Sequence, residues 1–222
     1  MFTGIVADLA TVVEIEALAD DSARLRLRST LVPSMSLGDS IAVNGVCLTA
    51  EFIDAEVVTV LAMKETLSRT TLGGCAVGDR LNAELALTLS TPLGGHLVQG
   101  HVDAVGTVVG RVSTGHWDVV SIHAPSTVAR YLVSKGSVAI DGTSLTVVDV
   151  VDQSDGSAVF TVSLIPTTLD RTTLGSKDDG DQVNLEVDMV AKYIERFSKV
   201  RPVDTDVPAP VSPTDAAGGG DK

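Results

Sequence analysis

Three short motifs carry side chains that could do chemistry, and each is spelled a second time with some of those side chains changed. "TGIV" at residues 3–6 is matched by "QGHV" at 99–102, so Ile5 corresponds to His101. "NGVCLT" at 44–49 is matched by "DGTSLT" at 141–146, so Cys47 corresponds to Ser144. "MKET" at 63–66 is matched by "IPTT" at 165–168. The second copy therefore holds an imidazole and a hydroxyl where the first holds an aliphatic chain and a thiol. Two similar pockets with different chemistry suit two similar ligands that play different roles. Drift after a duplication would give the same contrast with no ligand at all.

The elements that must position these residues follow from a wider repeat. "TLSRTTLGGCAVGDRLNAE" at 66–84 aligns without a gap to "TLDRTTLGSKDDGDQVNLE" at 168–186. The period, about 100 residues, is too long for a solenoid and is an ordinary size for one domain. The reading is an internal duplication, with domains at 1–90 and 97–187. Short runs rich in Val, Leu and Ile read as strands: "RLRLR", "SIAV", "VVTVLAM" and "LNAELAL", then "VSIHA", "SVAI", "LTVVDVV", "AVFTVSLI" and "QVNLEVD". Turn chemistry separates them, including the hairpin dipeptides "NG" and "DG". About six short strands per copy predict a small antiparallel barrel, twice, in an all-β chain. Helical turns are expected near "TLSRTTLG" and "APSTVARYLV". Arg69 and Arg171 are expected to cap or staple the turns they open, and Gly73 and Gly175 to take positive φ. After Glu186 the apolar spacing changes to that of a helix, residues 187–200, and the Pro-, Gly- and Asp-rich residues 201–222 are expected to be a disordered tail.

Composition removes several classes. The chain is 44% hydrophobic against 20% charged, enough to build real cores. Its net charge of −13, with no basic patch, argues against nucleic-acid binding. No run of about 18 apolar residues suggests a membrane span. The first residues lack a basic region and include Asp8, so no export signal is read, and Cys47 and Cys75 are expected as reduced thiols in the cytoplasm. His96 and His101 lie five apart, but no further ligands complete a metal shell. "GGHLVQG" lacks the spacing of a dinucleotide fingerprint, and no phosphate loop or nucleophile elbow occurs.

The opening "MFTGIV", with "NGVCLT", "MKETL", "GGHLVQGHVD", "DGTSLT" and "IPTTLDRTTLG" in that order, resembles the alpha-type riboflavin synthase family from Met1 to about Phe197. The resemblance implies two six-stranded antiparallel Greek-key barrels and a C-terminal helix at 187–200 that joins a homotrimer. It implies that two molecules of 6,7-dimethyl-8-ribityllumazine exchange a four-carbon unit, giving riboflavin and 5-amino-6-ribitylamino-pyrimidinedione, with no metal or redox cofactor. Lumazine synthase is a candidate protein partner; no nucleic acid or membrane is implied. The first lumazine site would use Gly4, Ile5 and Val6, then Cys47, Leu48 and Thr49, then Leu61, Ala62, Met63, Lys64, Glu65 and Thr66. The second would use Gly100, His101 and Val102, then Ser144, Leu145 and Thr146, then Val162, Ser163, Leu164, Ile165, Pro166 and Thr167. Lys135 would reach a ligand held mainly by another subunit.

The implied chemistry removes a proton from the C7 methyl group of one lumazine and adds a nucleophile to the other. Imidazole exchanges protons near neutral pH, which makes His101 the candidate base. Ser144 or Cys47 would orient or add to a ring, with Ser40, Asp141 and Asp188 as further catalytic candidates. Family members often carry two adjacent cysteines where this chain has Val46 and Cys47, so a role for the first thiol is absent. A non-catalytic lumazine or flavin carrier of the same fold is the main alternative. Carriers tend to lose the second site, whereas "GHVD" and "DGTSLT" are intact here. A flavin reductase barrel would bring a nucleotide-binding domain with a Gly-rich turn, and none is read.

Overall fold

The computed structural model describes residues 1–200; the tail expected at 201–222 lies outside them. In the first half six strands, β1 (Asp8–Ala17), β2 (Ala23–Arg28), β3 (Ser40–Val43), β4 (Val46–Asp54), β5 (Val57–Ala62) and β6 (Arg80–Leu85), close into a barrel in the order β1-β2-β5-β4-β3-β6. In the second half β7 (Ala104–Ser113), β8 (Asp118–Ala124), β9 (Ser137–Ile140), β10 (Thr143–Asp152), β11 (Ala158–Leu164) and β12 (Gln182–Val187) close in the corresponding order, and the strand pairs are antiparallel. The expectation of two six-stranded barrels holds. Alternation builds each wall: in β2, Leu25 and Leu27 point into the core while Arg24 and Arg28 point out. The register slips at matching places, between Val12 and Glu14 and between Val108 and Gly110, then between Ala50 and Phe52 and between Val147 and Asp149. Such bulges bend a strand, which a small closed barrel requires.

Each barrel has its own apolar core, and a third cluster of Phe2, Ala42, Val98 and Ala139 joins them. The repeated letters make the joint. Asn82 on β6 donates its amide to Asp141 O at 2.8 Å and accepts from Thr173 N at 2.8 Å. Asn184 on β12 donates to Asn44 O at 2.8 Å and accepts from Thr71 N at 2.8 Å. The "NG" and "DG" hairpin tips meet back to back: a Cβ on Gly45 would lie 2.6 Å from Gly142 N.

Helix α1 (Lys64–Arg69), α2 (Ser126–Ala129) and α3 (Pro166–Arg171) are short. Arg69 pairs with Glu65 one turn back, so it staples its own helix. Gly73 and Gly175 do not take positive φ. Close approach explains them instead, because a Cβ there would lie 2.1 Å from Leu67 O and 2.0 Å from Leu169 O. The C-terminal helix α4 (Met189–Lys199) is capped by Asp188, which accepts from Val190 N at 3.0 Å. Lys192 pairs with Asp103, and Glu195 accepts from Arg130 and Tyr131, fixing α4 on the second barrel. Its apolar stripe does not turn inward: Tyr193, Ile194 and Phe197 are 54%, 63% and 71% exposed. No helix among the described residues is long and apolar enough to cross a membrane.

Candidate functional site

Cys47 lies on β4 and Ser144 on β10, at equivalent places on the two barrels. Strand alternation sends Leu48 into the first core, while Thr49 and Thr146 are exposed. Ser40 on β3 lies directly across the ladder from Thr49. The substrate residues expected on β5 and β11 split in the same way. Ala62, Val162 and Leu164 are buried core, whereas Met63 and Ile165 are 63% and 58% exposed beside them. Ser163 and Thr167 are also exposed. Lys64 pairs with Asp21 and Glu65 with Arg69 at the surface. Thr66 contributes its carbonyl to Thr70 Oγ1, and Pro166 opens α3.

The segments that carry Ile5 and His101 are exchanged relative to the sequence expectation. Gly4 packs on Ser144, in the second barrel: Ser144 N donates to Gly4 O at 2.7 Å, and a Cβ on Gly4, at φ +73°, would lie 2.5 Å from Ser144 Cβ. Gly100 packs on Cys47, in the first barrel: Cys47 N donates to Gly100 O at 2.9 Å, and a Cβ on Gly100, at φ +80°, would lie 2.6 Å from Cys47 Cβ. Val102 packs against the first core. The two segments pair with each other through an isolated bridge, with Phe2 N donating to Val98 O at 2.7 Å. Each therefore reaches the opposite barrel. The exposed His101 stands on the strap beside the thiol, and Ile5 on the strap beside Ser144.

Ser144 has an imidazole of its own. His96 Nδ1 lies 2.7 Å from Ser144 Oγ, and its Nε2 is buried with no protein partner. Burial pushes the His96 imidazole below its ordinary value, against a smaller upward pull from the Asp188 carboxylate. The turn before it is pressed onto the same hydroxyl, since a Cβ on Gly95 would lie 2.7 Å from Ser144 Oγ. In the sequence His96 stands out only as half of a pair with His101. It has no counterpart in the repeat, so no contrast between copies pointed to it. Phe2, Glu84 and Glu186 were also missed. The two glutamates are buried carboxylates that bond the straps, and burial pushes both above their ordinary value while the donors they accept pull the other way.

Two expected residues lie elsewhere. Asp141 is fully buried in the joint between the barrels, where its Oδ1 accepts from Asn184 N at 2.8 Å. Lys135 is exposed in the turn before β9 at φ 68°. A cleft of about 900 Å³ opens at the joint, lined by Thr71, Arg80, Thr173 and Lys177 among others, and it contains none of the expected pocket residues. Cys47 and Ser144 instead lie apart from that cleft, each beneath a strap.

The chain matches the lumazine binding domain family twice, over residues 3–86 and 99–188. It is 52% identical over 202 residues to riboflavin synthase of Mycobacterium tuberculosis, covering 90% of this chain and 98% of that one. It is 39% identical over 204 residues to riboflavin synthase of Actinobacillus pleuropneumoniae, covering 92% and 93%. Among solved structures it resembles LumP complexed with 6,7-dimethyl-8-(1'-D-ribityl) lumazine, with TM-score 0.73 and 25% identity over 84% of this chain and 99% of that one.

Proposed function

The chain belongs to the riboflavin synthase family, with two lumazine binding domains in one polypeptide, and from that premise we propose that it converts two molecules of 6,7-dimethyl-8-ribityllumazine into riboflavin and 5-amino-6-ribitylamino-pyrimidinedione. One lumazine gives a four-carbon unit to the other. The two products together contain the atoms of the two substrates, so the reaction needs no added reagent. The same reading makes the protein a cytoplasmic transferase.

The observation that supports the proposal is that the two barrels carry unlike residues, Cys47 and Ser144, beneath equivalent straps. Cys47 puts a thiol beneath the strap that carries His101; Ser144 puts a hydroxyl, 2.7 Å from the His96 imidazole, beneath the strap that carries Ile5. His101 would take the proton from the C7 methyl group of the lumazine on the Cys47 side. His96 would accept the Ser144 proton at Nδ1 as that hydroxyl adds to, or orients, the second ring. Holding two rings in reacting geometry supplies much of the rate, about 7–11 kcal/mol in favourable cases. Thr49 and Thr146 are hydroxyl partners for the two pyrimidinedione edges.

The rings meet between subunits in this reading. The stripe of Tyr193, Ile194 and Phe197 leaves an apolar helix face that a homotrimer would cover. A first barrel would then face the second barrel of a neighbour. Phe197→Asp should disperse the trimer in sedimentation and lower turnover while circular dichroism stays that of folded barrels.

The deciding experiment is to mix the purified protein with the lumazine alone and follow riboflavin absorbance. Turnover is expected. Tight binding without turnover would make the protein a carrier, the behaviour for which the likeness to LumP is the argument.

A further inference from the structure

Glu84 and Glu186 end the repeated stretch and occupy equivalent places on β6 and β12, 8% and 3% exposed. Each gathers three donors from a segment that precedes the first ladder pair of its own barrel. Glu84 Oε1 accepts from Thr3 N and Thr3 Oγ1, both at 2.6 Å, and its Oε2 accepts from Gly4 N at 2.9 Å. Glu186 Oε1 accepts from Gln99 N at 2.6 Å, and its Oε2 accepts from Gly100 N at 2.9 Å and His101 N at 2.8 Å. The pairing of β1 with β6 begins only at Asp8, and that of β7 with β12 at Ala104. The barrels are closed without these bonds. A buried carboxylate is expensive unless hydrogen-bonded, and here its bonds hold two straps whose far faces rest on Ser144 and Cys47.

We infer that Glu84 and Glu186 are positioning residues that act across the barrels: Glu84, in the first barrel, sets the wall made by Gly4 and Ile5 at the Ser144 site, and Glu186, in the second, sets the wall made by Gly100 and His101 at the Cys47 site. Neither touches the reacting atoms. A carboxylate is required because all its oxygens accept; an amide in its place turns an N–H₂ group toward N–H donors and releases one side of the strap. The effect on turnover rests on the function proposed above, while the effect on the Cys47 wall does not.

The test uses the full chain carrying Cys75→Ser, so that Cys47 is the single thiol. Glu84→Gln and Glu186→Gln are compared with the parent by the rate of Cys47 alkylation with iodoacetamide, followed by mass spectrometry, and by kcat and KM for the lumazine. Glu186→Gln should speed alkylation about tenfold, the loss expected when a charge-assisted contact is replaced by a mismatched one, and Glu84→Gln should leave it within about twofold. Both should lower kcat about ten- to hundredfold with a smaller change in KM. If Glu84→Gln does not fold, Thr3→Val, which removes one donor and keeps the carboxylate, should give a weaker loss of kcat with the parent's alkylation rate. Equal alkylation rates in the two glutamine variants, whether both unchanged or both raised, would overturn the inference. The expected alkylation pattern in a chain whose parent does not convert the lumazine would uphold the positioning and remove the proposed reaction instead.

Discussion

Asn44 and Asp141 stand at the same place in the two barrels, each at φ 45° before the glycine that meets its counterpart across the joint. Both do the same work for the backbone. Asn44 Oδ1 accepts from Asn82 N at 2.7 Å, and Asp141 Oδ1 accepts from Asn184 N at 2.8 Å. Yet Asp141 is fully buried with its Oδ2 unpartnered, and burial pushes its carboxyl up to about 6, with Lys177 pulling against the shift. Where the second barrel has Lys177 the first has Cys75, so one copy sets an acid and a base where the other sets an amide and a thiol. The surface sites diverged further, into thiol with His101 and hydroxyl with His96. The letters the copies share, Asn82 with Asn184 and Thr71 with Thr173, are those that hold the barrels together. The bonds across the joint are shared, while the residues beneath the straps differ.

That contrast can be broken at either end. The largest effect is expected from the divergent side: His101→Ala should lower turnover about 10²–10⁴-fold, the usual worth of one general acid–base group, with a smaller loss of lumazine affinity. Titration of binding beside turnover checks it, and lost affinity with normal turnover would make His101 only a pocket wall. The shared side comes next. Asn82→Leu strands the Asp141 carbonyl and the Thr173 N–H inside the joint and should cost about 3 kcal/mol in denaturant unfolding. Asn184→Leu should cost the same within about 1 kcal/mol, because its side chain makes the matching pair of bonds, to Asn44 O and from Thr71 N. The smallest effect restores symmetry. Asp141's folded value lies above its ordinary 3.8, so the stability it contributes is full below 3.8 and lost as pH rises through about 6. Asp141→Asn should remove that slope and, after the cost of its unpartnered amide, stabilise the fold at pH 7 by about 1 kcal/mol. Melting curves across that window check the sign.

Much of this architecture is legible in the residues. The repeat shows that there are two units, and alternation in stretches such as "RLRLR" shows that they are sheets. Strands β1, β4 and β7 are not heard in the sequence, since bulges at Val12, Ala50 and Val108 interrupt their period of two. The exchange of straps is hidden for a different reason. Aligning "TGIV" on "QGHV" matches each segment to its equivalent, but carries no information about which barrel the segment rests on. That depends on backbone contact at Gly4 and Gly100, where the missing Cβ is the only trace in the sequence. His96 is silent because the aligned motifs start at Thr3 and Gln99 and set no residue against it. Asp141 is a catalytic candidate only through the resemblance, and burial reveals it as part of the joint.

The central claim is that two copies of one substrate meet, one from each kind of pocket, and divide unequally. Its most direct test mixes equal amounts of lumazine bearing ¹³C in both ring methyl groups with unlabelled lumazine, and weighs the riboflavin formed by the protein. The account predicts that the most abundant riboflavin carries label in only one half of its new ring, because donor and acceptor are drawn independently. Riboflavin that is only fully labelled or fully unlabelled would mean that the four carbons never pass between molecules, and would contradict it.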